Sequence, residues 1–154
     1  TFLDHKDLGE QLVNHQARGF PIENFKEVYS RYSKTLIGVG NAAGADKRVG
    51  LETEIVALTN PYTDDMSAGM RAQLFYRTNV RANAQIEVFE KAPNGAVAVF
   101  MVRTDNHGIA TVPVKSGYSY MLDAVVLREP AAQLAADTGA AWETLWANLT
   151  FMAP

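Results

Sequence analysis

The stretch Pro93-Asn94-Gly95-Ala96-Val97-Ala98-Val99-Phe100-Met101-Val102-Arg103-Thr104-Asp105-Asn106-His107-Gly108-Ile109 decides the fold. Pro-Asn-Gly is a hairpin turn, because glycine supplies the positive φ that the turn requires. The run that follows, 96–103, is apolar up to its final arginine and of strand length. Thr104-Asp105-Asn106-His107-Gly108 then turns the chain again, with Asp105 placed to cap its own turn. A short continuous apolar run bounded by hairpin-type turns reads as a strand in an antiparallel pair.

The same reading extends in both directions. Met70, Ala72, Leu74 and Tyr76 alternate with Arg71, Gln73, Phe75 and Arg77, and Ile86 and Val88 alternate with Gln85 and Glu87. Residues 54–58 form an earlier strand closed by Thr59-Asn60-Pro61-Tyr62, since Asn-Pro initiates turns. Downstream, 109–114 and 118–127 are strands joined at Ser116-Gly117. The Ala-rich stretch 129–141 is a loop or a single helix, and 145–152 is the last strand. There Ala147, Leu149 and Phe151 point to the core. Asp123 sits on the solvent side of its pleat, and Glu52 and Glu54 share a solvated face. About eight short strands with tight turns predict an antiparallel Greek-key β-sandwich, prealbumin- or immunoglobulin-like.

The first third differs. Residues 1–54 hold 15 of the 31 charged side chains. Leu8, Leu12 and Val13 give 4–17 an amphipathic helical pattern, stopped at Gly19 and Pro21. Phe25, Val28, Tyr29 and Tyr32 predict a second helix over 23–33, and the β-branched run 35–39 predicts a strand. The expected organisation is a helical arm, 1–34, and a β-sandwich domain, 35–154. The arm's apolar stripe needs a cover, and Trp142 or Trp146 is expected to provide it. At 154 residues the chain suits about one domain of the usual ~150 residues. A net charge of −3 argues against a general nucleic-acid binder. With no cysteine, disulfide frameworks, thiolate metal sites and cysteine nucleophiles are excluded. No apolar run is long enough to span a membrane.

Two resemblances appear. Thr104-Asp105-x-x-Gly108-x-Ala110-x-x-Pro113-Val114-x-x-Gly117-x-x-Tyr120 resembles the hairpin of prealbumin-like and carboxypeptidase-regulatory-like sandwiches. Such a turn specifies a fold and no chemistry. Tyr29-Ser30-Arg31-Tyr32-Ser33-Lys34-Thr35-Leu36, Glu54-Ile55-Val56, Asn60-Pro61-Tyr62, Leu122-Asp123-Ala124-Val125 and Trp142-Glu143-Thr144-Leu145-Trp146 occur in that order. Together they resemble the domain-of-unknown-function family numbered 4198. The resemblance implies a periplasmic protein, linked in some members to nickel or cobalt uptake, and a metal-transport permease as partner. Members usually carry a signal peptide and a further N-terminal β-rich portion, so the chain reads as a C-terminal part. Where many members have a histidine after Asp-Ala-Val, this chain has Val126.

If nickel or cobalt binds here, imidazole nitrogens are the preferred ligands. His5 and His15 are ten residues apart, about 15 Å along one helix and on different faces. His107 and Asp105 are therefore the candidate metal pair, set against the plainer reading of an exposed turn histidine. Arg31, Tyr32, Lys34, Asn60 and Tyr62 form a candidate cluster for an anionic or carbohydrate ligand. The plainer reading is a packed tyrosine, edge cations and a turn cap. Trp142 and Trp146, four apart, either stack a ligand or fill the core. No nucleophile elbow, phosphate loop or His-Glu-x-x-His motif occurs, which speaks against an enzyme. The residues thus point to a non-catalytic binding or accessory module, which the resemblance implies is periplasmic. The alternative is a structural or interaction domain binding protein or carbohydrate through the sandwich edge.

Overall fold

A computed structural model of the chain describes residues 2–154. Two short helices, α1 (Phe2–His5) and α2 (Glu10–Ala17), lead into strand β1 (Lys26–Thr35). Then follow β2 (Thr53–Ala57), β3 (Met70–Tyr76), β4 (Asn79–Val80), β5 (Gln85–Lys91), β6 (Val97–Arg103), β7 (Ile109–Val112) and β8 (Ser119–Arg128). Helix α3 (Ala132–Thr138) precedes the long last strand β9 (Ala140–Met152). One sheet has the order β1-β9-β8-β5-β6; the other is β2-β3-β4, with β7 also paired to β3. The pairings β2–β3, β3–β4, β3–β7, β5–β6 and β5–β8 are antiparallel. The expected β-sandwich with a small helical segment near its N-terminus is what the chain forms.

The chain divides into two compact units. One contains the described residues up to Arg31 with Val125–Trp146; the other contains Tyr32–Ala124 with Ala147–Pro154. In the second unit both sheets bury one face in a common core. Ile55, Met70, Leu74 and Val112 come from the smaller sheet, and Ile86, Val88, Leu122 and Leu149 from the larger. Tyr120 and Phe151 stack at 5.2 Å between ring centres. Ala147, Leu149 and Phe151 are buried as the alternation of the last strand requires. At the edge of the larger sheet, β6 exposes Val97, Val99 and Met101.

Two expectations are corrected, and one of the two readings of the Ala-rich stretch holds. Residues 23–33 are not helical: β1 alternates between half-buried Val28, Ser30, Tyr32 and Lys34 and exposed Tyr29, Arg31 and Ser33. The spacing of Val28 and Tyr32 fits either period, and the aromatic and β-branched content favours a strand. Residues 36–39 are not a strand, and Ile37 and Val39 are exposed in a long loop. The Ala-rich stretch contains α3, closed by Gly139 at φ +69.

Candidate functional site

The loop 36–52 has no regular structure, yet it is fastened at several points. Lys34, at the end of β1, donates from Nζ to Asp46 Oδ2 at 2.9 Å and to Glu54 Oε1 at 3.1 Å. It also reaches the carbonyls of Lys47 at 3.1 Å and Ile55 at 3.2 Å. Glu54 is 0% exposed, so the expectation of a solvated face is wrong for it. Its charge is held by Lys34 and by the backbone N–H groups of Val49, Gly50 and Leu51. Asp46 accepts in turn from the N–H groups of Lys47 and Ala57, at 2.8 and 2.9 Å. Buried charges require such pairing, because desolvation costs several kcal/mol per ion.

The turn after β2 fastens the other side of the loop. Asn60 Nδ2 donates to the carbonyls of Ala42 at 2.8 Å and Gly44 at 3.1 Å, and its Oδ1 accepts from Tyr62 N at 2.9 Å. Tyr62 donates its hydroxyl proton to Leu36 O at 2.7 Å. Between loop and turn lies an open cavity of about 280 Å³. Its walls include Thr35, Asp46, Thr59, Asn60, Tyr62 and the small residues 42–45. Three of the sequence candidates, Lys34, Asn60 and Tyr62, therefore serve one place. Lys34 acts through Asp46, and the other two line the cavity directly. Tyr32 is turned to Glu52, 3.4 Å from its carboxylate.

The remaining candidates lie elsewhere. Asp105 Oδ1 accepts from the N–H groups of His107 at 2.8 Å and Ile109 at 2.9 Å. The Ile109 amide above all, then that of His107, holds the Asp105 carboxyl below its usual range. The turn carboxylate is thus bonded to its own backbone. Among the described residues no group of three or more His, Cys, Asp or Glu side chains is gathered that could hold a metal ion.

Arg31, Trp142 and Trp146 belong to the first unit. The Arg31 guanidinium and the Lys6 ammonium each lie 5.0 Å from the Trp146 ring. Trp142 is 4% exposed and donates from Nε1 to His15 Nδ1 of α2 at 2.9 Å. Trp142 thus meets helix α2, whereas the stripe that a tryptophan is expected to cover, Phe25 to Tyr32, is not helical, and Trp146 meets cations of a turn and of β1. An indole N–H only donates, so Nδ1 bears a lone pair and Nε2–H is directed to Pro21 O at 2.8 Å. The buried His15 ring is neutral in this arrangement. Sequence reasoning missed His15 as well as Asp46, because their partners are distant in the chain or are backbone groups. It also set Asp123 on a solvated face. Asp123 is buried, and Asn148 Nδ2 donates to it at 2.7 Å.

A family model described as a domain of unknown function, DUF4198, matches residues 6–128. Neither a curated protein nor a solved structure matches the chain.

Proposed function

The chain belongs to the DUF4198 family, and we propose that it is a periplasmic, non-catalytic binding module accessory to nickel or cobalt uptake. Its ligand lies in the cavity between loop 36–46 and the Asn60–Tyr62 turn, and a metal-transport permease is its partner. One observation carries the binding role. A loop without regular structure is pinned by buried charges and by two side chains of the turn, so the cavity wall is set before any ligand arrives. Preset walls lower the ordering cost of binding.

A binding rather than a catalytic role fits the engagement of the carboxylate in the cavity wall. Asp46 is saturated by Lys34 and by backbone amides. The placement of the histidines supports an accessory role rather than chelation of the bare ion. His15 uses both ring nitrogens internally, and the carboxylate beside His107 is bound to its turn. The small residues 42–45 leave backbone groups at the wall, which suits a small polar solute such as a metal already chelated.

Thermal shift with nickel and cobalt, each as free ion and as amino-acid chelate, tests this reading. A ligand at a hundredfold its Kd adds about 2.7 kcal/mol, roughly 5–10 °C in Tm for a chain of this size. A rise that is lost in Asn60→Ala and in Tyr62→Phe supports the reading. No rise with any form overturns it. A second reading, an interaction domain binding through the sandwich edge, is favoured by the exposed apolar row of β6.

A further inference from the structure

The first unit contains a second cavity, of about 240 Å³, beside α2. Its wall is mostly apolar: Leu3, Leu12, Ile22, Phe25, Leu127 and the Trp142 indole. Three of these are kept in water at its mouth, with Leu12 46%, Ile22 73% and Phe25 44% exposed. A dry cavity of about 150 Å³ lined by aliphatic and aromatic groups already accommodates benzene. This one is larger and open, so a single ring with a short side chain fits.

The polar groups of the wall narrow the ligand further. His15 and Trp142 use their ring nitrogens on each other and on Pro21 O, so they offer nothing to a ligand. Gln11 and Glu27 remain. Glu27 accepts from the Thr144 hydroxyl through Oε1, and among the described residues Oε2 takes no further bond. Arg18 lies against Trp142 at 4.8 Å and pairs with Glu129 at 3.6 Å, but it is not part of the wall. With His15 neutral, the wall has one formal charge, and it is negative.

We infer that this cavity is a binding site for a small organic amine with an apolar, preferably aromatic, body. The body sits among Phe25, Leu127 and Trp142, and the ammonium group donates to Glu27. Aromatic faces and a carboxylate act in the same direction on such a cation. The site lies in a different unit from the loop cavity, and the inference stands or falls separately from the proposed function.

Calorimetry with phenethylamine, phenethyl alcohol and phenylacetate provides the test. The three share one ring and differ in charge. Phenethylamine is expected to bind at least ~10-fold more tightly than the alcohol, since a hydrogen bond to a charged group contributes ~1.5 kcal/mol or more. Phenylacetate is expected to bind most weakly. Glu27→Gln keeps an acceptor for Thr144 and should bring amine and alcohol within ~2-fold of each other. Leu12→Ser, at the exposed mouth, should weaken both alike. Asn60→Ala should leave the amine affinity unchanged. Absence of amine binding overturns the inference. So does phenylacetate binding as tightly as the amine, or an amine preference that survives Glu27→Gln.

Discussion

Replacing Lys34 by methionine tests how loop 36–52 is held. The substitution keeps the length of the side chain and removes its charge. It leaves Asp46 and Glu54 without the ammonium they share, with side chains only 9% and 0% exposed. Removing one member of a buried ion pair typically costs ~3–5 kcal/mol, because the other charge stays desolvated. Two carbonyls, of Lys47 and Ile55, lose a donor as well. Against a total stability of ~5–15 kcal/mol this is a large fraction. With a urea m-value of ~2 kcal/mol/M, the unfolding midpoint should fall by ~1.5–2.5 M. The matched control is Lys115→Met. Lys115 makes a shorter contact, 2.7 Å to Glu90, but its side chain is 61% exposed against 12% for Lys34. If distance governed the energetics, Lys115→Met would cost more. If burial governs, it costs much less, because water replaces the lost charge. Equal midpoints for the two variants, or a loss below ~1 kcal/mol for Lys34→Met, would refute the reasoning. Limited proteolysis gives a second readout: Lys34→Met should open the loop to cleavage, and Lys115→Met should not.

Stability should also fall at both ends of the pH scale through one small network. Glu90 accepts from Lys115 Nζ at 2.7 Å and from the Tyr120 hydroxyl at 2.9 Å. The Lys115 bond holds the Glu90 carboxyl below its ordinary value, so its stabilisation is present above the unfolded value of about 4.5 and is lost as the pH falls through the folded one. Burial pushes the Tyr120 phenol up to about 12, so the fold binds more protons than the unfolded chain above pH ~10, and stability declines from there to about 12. Urea titrations across pH should show both slopes, with Glu90→Gln flattening the acid limb and Tyr120→Phe the alkaline one. Gly108→Ala should destabilise more than Gly95→Ala. Both glycines have positive φ, +73 and +87, but a Cβ at 108 would lie 2.9 Å from Val80 Cβ and 3.1 Å from Leu74 O, whereas 95 is open. Backbone strain alone is worth about 1–3 kcal/mol, so the difference in thermal unfolding isolates the close approach.

The hairpins were legible because their signals are local. Asn94, Gly95, Asp105 and Gly108 fix turns through bonds to residues two to four away, such as Ala96 N to Asn94 Oδ1 and Ile109 N to Asp105 Oδ1. Strands of period two between such turns leave one register with the apolar side inward. The errors came where one pattern serves two structures. Phe25, Val28, Tyr29 and Tyr32 fit a helical stripe, while Val28 and Tyr32 also fit an alternation in which Ser30 occupies the face between them. At the candidate sites the sequence contributed Lys34, Asn60, Tyr62 and Trp142, whose types stand out near a turn or a strand end. It did not show what they bind. Glu54 resembles any strand glutamate until Lys34, twenty residues earlier, is found beside it. His15 is matched to a tryptophan 127 residues away. Long-range pairing of polar groups leaves no periodic trace.

Strand β6 bears on how the protein behaves when crowded. Between Lys91 and Arg103 the chain has no charged residue, and the edge strand keeps Val97, Val99 and Met101 in water. A row of this kind is a template for another extended chain, in solution or during synthesis. The two cations that bracket the segment act as gatekeepers, since stacking identical copies in register brings like charges together at both ends. Charges elsewhere on the chain are screened beyond about 10 Å in ordinary salt, so the two local cations weigh most on this edge. Replacing Lys91 by glutamine is expected to shorten the lag before thioflavin-positive aggregates form, and an unchanged lag would show that the edge is guarded in another way.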